Sequence, residues 1–155
     1  MTPLYDGPEL LVSEGPGLIV FFMRRSPNDA VFTECGNRVR EVLTRQQRIN
    51  VVILISNFDG EAGGSRAAQK AFATLLGDLH AQLVSTCIVI TVPGLKGTMI
   101  RLTVNAILML GKLRNPVQIH ASIPETVTWL RSQKNQVPSV SGAANLLQEL
   151  QAMLH

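Results

Sequence analysis

The chain has 155 residues, a net charge of +3 and 46% hydrophobic residues, but only 16% charged residues. This length suits a single domain whose core is large enough to fold without metals or disulfides. The apolar composition excludes a disordered chain. Because so few ionic groups are available to cover the surface, we expect some apolar surface to meet another chain or a ligand.

Basic residues are clustered near the first predicted helix, in the set Arg38, Arg40, Arg45 and Arg48. Aromatic residues make up only 5% of the chain and most lie in apolar runs. Nucleic-acid surfaces usually combine basic residues with aromatics, so we interpret this cluster as a solvated helix face and predict no nucleic-acid partner.

The cysteines and histidines do not have the spacing of a metal site. Both cysteines lie in apolar stretches without a CxxC pattern, and the three histidines are isolated from one another; we therefore predict no metal and no cofactor. No apolar run approaches the roughly 20 residues of a membrane span, and the first residues do not resemble a signal peptide. These features predict a cytoplasmic location and no membrane insertion.

The first half of the chain predicts a hairpin, a helix and a buried strand. Short β-rich runs at 10–13 and 18–23 flank a Glu-Gly-Pro-Gly turn. Apolar residues then recur at helical spacing from Phe32 to Leu43. The next run, 50–56, is continuously aliphatic, as expected of a strand that is buried on both faces.

The second half repeats this alternation. A second helix begins near Ser65, and the run 85–92 repeats the buried-strand pattern. A third helix and a last strand at 117–121 follow. A short fourth helix ends near residue 132. The fold class is therefore α/β, with a mostly parallel sheet opened by an antiparallel hairpin and the order β-β-α-β-α-β-α-β-α plus a C-terminal helix.

The chain is divided by composition into a domain at 1–132, a polar linker at 133–141 and an amphipathic helix at 142–155. We expect the C-terminal helix to make its contacts through a row of apolar side chains: Leu146, Leu147, Leu150 and Met153. This helix could also dock the chain into a larger assembly.

The third helix has an apolar arc more than twice as wide as one sheet contact needs. We predict that its surplus face consists of Ile100, Val104, Ile107 and Leu108. Three alternatives remain for what packs against that face: the C-terminal helix, a second copy of the chain in a homodimer, or an apolar ligand. An unrelated protein partner is a further possibility.

The order of elements and the sequence Thr128-Trp129-Leu130 resemble the STAS superfamily over roughly residues 8–132. This superfamily includes bacterial anti-sigma factor antagonists and small bacterial STAS/SEC14-like proteins. The resemblance implies a non-catalytic regulatory domain that docks proteins and is sometimes controlled by phosphorylation.

In the antagonists, a phosphorylated serine lies in an Asp-Ser-Ser/Thr-Gly motif at the start of the second helix. The matching position here is Ser65, but no Asp directly precedes it and no Gly follows it. Ser65 is therefore either a possible phosphorylation site or a plain helix N-cap. The glycines before it, Gly60, Gly63 and Gly64, could present N–H groups to a phosphate, although the acidic residues among them oppose this.

A rival hypothesis uses the carboxyl edge of the sheet, where ligands gather in open α/β folds. Asp59, His120 and Ser122 could approach one another there and bind a lipid or nucleotide, or act as an enzyme site. The chain has no GxSxG motif, so we predict no catalytic residue. The favoured prediction is a non-catalytic domain that binds a protein partner or itself through an apolar helix face.

Overall fold

Six strands in one mixed sheet form the centre of the computed structural model, which describes residues 1–59 and 64–154. The strands are β1 (Thr2–Asp6), β2 (Leu10–Gly15), β3 (Leu18–Arg25), β4 (Ile49–Asp59), β5 (Leu83–Ile90) and β6 (Val117–His120). The helices are α1 (Asp29–Arg45), α2 (Arg66–Leu79), α3 (Gly94–Gly111), α4 (Ile123–Ser132), α5 (Pro138–Ser141) and α6 (Leu146–Ala152).

The strands lie side by side in their sequence order, from β1 to β6. β1, β2 and β3 pair antiparallel, whereas β3, β4, β5 and β6 pair parallel. This arrangement confirms an α/β fold with a mostly parallel sheet opened by an antiparallel hairpin. The structure also contains β1, which the sequence pattern does not predict. This strand is short and largely exposed, contains Pro3 and has no apolar run.

Helices cover both faces of the sheet. Because parallel crossovers are right-handed, strands in sequence order place their connecting helices on one face. Accordingly, Phe32 of α1, Phe72 of α2 and Ile100 of α3 share a core with strand residues such as Phe21. The Phe32 and Phe72 rings stack with their centroids 4.7 Å apart. The opposite face of the sheet is covered by α4, α5 and α6.

Alternation along the strands explains the continuous aliphatic runs. Within β4, Ile53 faces the core of α1, α2 and α3, whereas its neighbour Leu54 faces the core of α4, α5 and α6. Both side chains are almost fully buried. A strand covered on both faces is apolar along most of its length, as the residues 51–55 within the run 50–56 indicate.

The segment 133–141, predicted as a linker, contains α5 and is tied to the sheet. Gln136 hydrogen-bonds Asn50 of β4, the Ser139 hydroxyl donates to the carbonyl of Pro16, and Val140 is buried. The helix that follows packs beside α4 on the same face. Its predicted contact residues join this core: Leu146 and Leu150 are buried, and Leu147 and Met153 are partly buried.

Candidate functional site

The predicted contact face of α3 is the face that packs inside the domain. Ile100, Val104 and Ile107 are only 3%, 8% and 9% exposed, and Leu108 is partly buried against the same core. The sheet and α2 cover these residues, so the prediction that they form an outer interaction face is wrong. The helix does have a wide apolar arc, but a helix that is apolar on both sides does not reveal in its sequence which side faces the sheet.

The opposite side of α3 carries an exposed apolar surface, which we call the outer stripe: Leu95, Met99, Leu102, Ala106, Met109 and Leu110. Its five larger side chains are exposed by 77%, 49%, 66%, 79% and 60% in that order. At about 100° per residue, all six side chains fall within an arc of about 100°. They extend along most of a helix about 27 Å long. This is one contiguous surface rather than a scatter of single apolar residues.

The C-terminal helix does not cover the outer stripe. Its buried residues, Leu146 and Leu150, lie on the other face of the sheet with Leu130 of α4. The fold therefore excludes α6 as the element that covers α3.

The side of α3 opposite the stripe packs closely on α2. Gly111 of α3 lies so close to α2 that an added Cβ would be 3.3 Å from the carbonyl oxygen of Ala73. This close packing faces away from the stripe.

The surroundings of the outer stripe are basic. Between Asp78 and Glu125 the sequence contains no acidic residue. Arg101, Lys112 and Arg114 form no ion pair with any residue that the structure describes. Lys96, near the start of α3, donates through Nζ to the carbonyl of Phe58 at 2.5 Å. The helix therefore presents an apolar stripe with cationic flanks and has no acidic residue of its own.

The sheet-edge residues Asp59, His120 and Ser122 are not brought together. Asp59 pairs with Arg25 at 3.2 Å. His120 aligns with Val89 of β5, which aligns with Leu54 of β4, five residues before Asp59. The backbones of Asp59 and His120 are therefore separated by two strand spacings of roughly 5 Å across the sheet and by five residues of roughly 3.3 Å each along it.

His120 and Ser122 have local structural partners at the start of α4. The His120 ring lies edge-on to Trp129, with centroids 5.9 Å apart. Its Nδ1 is buried and has no hydrogen-bond partner among the described residues. Ser122 is the N-cap of α4 and accepts from the amide of Glu125 at 3.5 Å. This arrangement contains neither an activated nucleophile nor a base aligned with one.

Ser65 is the N-cap of α2. Its hydroxyl oxygen accepts from the amide of Ala68 at 3.0 Å, as expected of a helix-capping serine. Gly60 and Gly63, the other part of the suggested phosphate cradle, lie outside the described residues, whereas Gly64 is described and has a φ of +60°. The Ser65 side chain is exposed.

An apolar cavity of about 60 Å³ lies between the helices and the carboxyl ends of β3 and β4. Its walls include Met23, Ile55, Phe72 and Ile107. Pockets for drug-sized ligands are typically about 300–1,000 Å³. The cavity is therefore too small for a nucleotide or a lipid chain, and it gives the rival hypothesis little support.

Comparison with protein-family models, with curated proteins and with solved structures finds no match to this chain. Within residues 1–59 and 64–154, no group of three or more His, Cys, Asp or Glu side chains could hold a metal ion. No described helix has the length and hydropathy needed to cross a membrane.

The two cysteines are structural rather than reactive. Cys35 and Cys87 are buried in the cores on opposite faces of the sheet. Burial raises the pKa of the Cys35 thiol to about 12 and that of Cys87 to about 11, from an ordinary value of 9.0. Thiolates, the reactive form, are therefore disfavoured in the folded chain.

We expect neither thiol to react with a disulfide reagent at pH 8 until the chain unfolds. The unfolded chain loses these protons at a lower pH than the folded chain, so stability should also decrease as the pH rises above about 9. The absorbance of the thiolate that the reagent releases, with and without urea, measures the reactivity of the two thiols. Rapid labelling of the native chain would contradict the buried positions.

Proposed function

We propose that this chain is a non-catalytic, STAS-like docking domain that binds another protein through the outer stripe of α3. The observation that carries the proposal is the exposure of five large apolar side chains, from 49% to 79%, along one helix face. Exposing such an apolar surface to water is unfavourable, whereas burying it against a partner contributes a favourable free energy of about 25 cal/mol per Å² of apolar surface.

The STAS-like part of the proposal is supported by the order of elements. Strands in sequence order, with α1, α2 and α3 on one face, are consistent with the resemblance in the sequence. A docking role also agrees with the sheet edge, where Asp59 pairs with Arg25 and Ser122 caps α4. Regulation by phosphorylation of Ser65 would be an addition to this role and is not needed for it.

Replacing Leu102 and Met109 with glutamate should abolish binding of the partner and leave the fold intact. A large apolar side chain buried at an interface contributes about 1.5–3 kcal/mol, so the double variant should weaken binding by about a hundredfold or more. Both residues are exposed, so the free energy of unfolding should change by less than about 1 kcal/mol.

The matched control is Gln148→Glu with Gln151→Glu, which adds the same charge to exposed positions of α6 on the other face. Proteins cross-linked to each variant in cells are quantified by mass spectrometry, and urea unfolding checks the fold. The proposal requires proteins that the control retains and the stripe variant loses. Identical sets of cross-linked proteins for all variants would refute it.

A further inference from the structure

Resting on the proposed function, we infer that the partner offers an acidic amphipathic helix to the outer stripe. The apolar face of such a helix would lie along Leu102 and Met109, and its flanking carboxylates would meet Arg101, Lys112 and Lys96. The inference depends on the charges around the stripe, because apolar area alone does not select a partner.

Cationic groups stand on both sides of the stripe. At about 100° per residue, Arg101 and Lys112 lie within 20° of each other on one flank, and Lys96 lies on the other. Arg101 and Lys112 form no ion pair with any described residue, although Asp and Glu side chains pair with arginines elsewhere on the domain. Between Asp78 and Glu125 the sequence contains no carboxylate that could neutralise them from within or beside α3.

A second copy of the chain fits this surface poorly. If two α3 helices packed face to face and antiparallel about a twofold axis, both Arg101–Lys112 flanks would lie on the same side of the interface. Like charges would then face each other, with no acidic residue of either helix between them. A partner with carboxylates along its flanks removes this repulsion and gains charge-assisted contacts.

The side chains of the stripe favour a helix over a lipid surface. Helices that lie in a membrane interface carry Trp, Phe or Leu on their apolar face and are rich in Lys and Arg on their polar face. The outer stripe has leucine but no aromatic residue, and only Lys96, Arg101 and Lys112 flank it. Methionine and leucine form adaptable surfaces that accept an amphipathic helix, whose anchors recur at i, i+3, i+4 and i+7.

The test uses two fluorescein-labelled helical peptides of about 18 residues, long enough to span α3 at about 1.5 Å per residue. Both have the same leucine face; one carries glutamate at every flanking position and the other carries lysine. Fluorescence anisotropy with the full chain should show at least tenfold tighter binding of the acidic peptide. This preference should shrink as the Debye length falls from about 10 Å in 0.1 M salt to about 3 Å in 1 M salt.

Charge reversal locates the effect. Arg101→Glu with Lys112→Glu should weaken binding of the acidic peptide by about tenfold, and the stripe variant Leu102→Glu with Met109→Glu should abolish it. The matched control, Arg38→Glu with Lys134→Glu, places the same charge change on exposed residues away from α3 and should bind as the unmodified chain does.

Other results would overturn the inference. Equal binding of both peptides, preference for the lysine peptide, or no binding of either would show that the partner is not an acidic helix. A dimer in sedimentation velocity that the stripe variant dissociates would assign the surface to a second copy. Stripe-dependent binding to vesicles with 30% phosphatidylglycerol, without peptide binding, would assign it to a membrane surface. All of these leave the stripe as the docking site, whereas unchanged cross-linking by the stripe variant refutes the proposed function itself.

Discussion

Replacing Gly97 with alanine is expected to destabilise the chain by about 3 kcal/mol or more, the upper range for overpacking a buried position. Gly97 is buried in the first turn of α3. A Cβ added there would overlap the carbonyl oxygen of Val92 and lie 3.0 Å from its carbonyl carbon. Both obstacles are backbone atoms just after β5, so no side-chain rotation can relieve the overlap.

The start of α3 would have to move away from the end of β5 to accommodate the methyl group. That movement would also displace Leu95 and Met99, so the variant should lose partner binding as well as stability. Urea unfolding followed by circular dichroism measures the change in stability.

The control for this prediction is Gly36→Ala in the interior of α1. Gly36 is also buried and helical, but its added Cβ would meet Leu75 at an ordinary contact distance of 3.5 Å. Alanine is a better helix former than glycine by about 1 kcal/mol, so this variant should be as stable as the original chain or more so. Equal stability of the Gly97 and Gly36 variants would contradict the close approach to Val92.

The second large effect is expected at Asn50, which is fully buried at the start of β4. Its Nδ2 donates to the carbonyl of Gly17 at 3.1 Å and to Oε1 of Gln136 at 2.7 Å. Its Oδ1 accepts from Ser85 at 2.7 Å and from Nε2 of Gln136 at 3.1 Å. All four hydrogen-bonding positions of the amide are therefore used.

Asn50→Leu should lower the free energy of unfolding by about 3 kcal/mol, because it leaves several buried polar partners unsatisfied at about 1–3 kcal/mol each. Gln136→Ala should cost less, since Gln136 is only partly buried and water can replace it. Because the two residues share one network, the double variant should be less destabilised than the sum of the single variants.

Hydrogen exchange gives a second readout for this network. Gln136 anchors the segment that leads to α5 and α6, so both single variants should increase exchange at 137–150 more than in β4. The control Asn37→Leu removes an exposed amide that accepts from Arg40 and should cost less than about 1 kcal/mol. A harmless Asn50→Leu substitution would mean that the network does not hold the C-terminal segment.

Local sequence patterns were enough to predict the centre of the fold. The largely aliphatic runs at 50–56 and 85–92 overlap β4 and β5, because a strand covered on both faces is apolar along most of its length, here at 51–55 and 87–90. The turn at 14–17 joins β2 to β3 as expected. By contrast, β1 depends on its pairing with β2, and a short exposed strand has little local signature.

The network at Asn50 shows what such patterns miss. Asn50 and Gln136 are far apart in the chain, and each alone is an ordinary polar residue at the end of an element or in a polar segment. The supposed linker at 133–141 therefore belongs to the packed domain, a conclusion that requires both partners to be placed in space.

The sequence by itself determined the α/β class, the buried central strands and the presence of a helix with too much apolar surface. Only the tertiary structure decided which side of that helix is free. Ile100, Val104 and Ile107 face the sheet, and Leu102 and Met109 face solvent. Both sides of the helix are apolar, so packing determines which side faces the sheet. Gly97 and Gly111 allow α3 to approach the end of β5 and α2 closely, and the outer stripe therefore faces solvent.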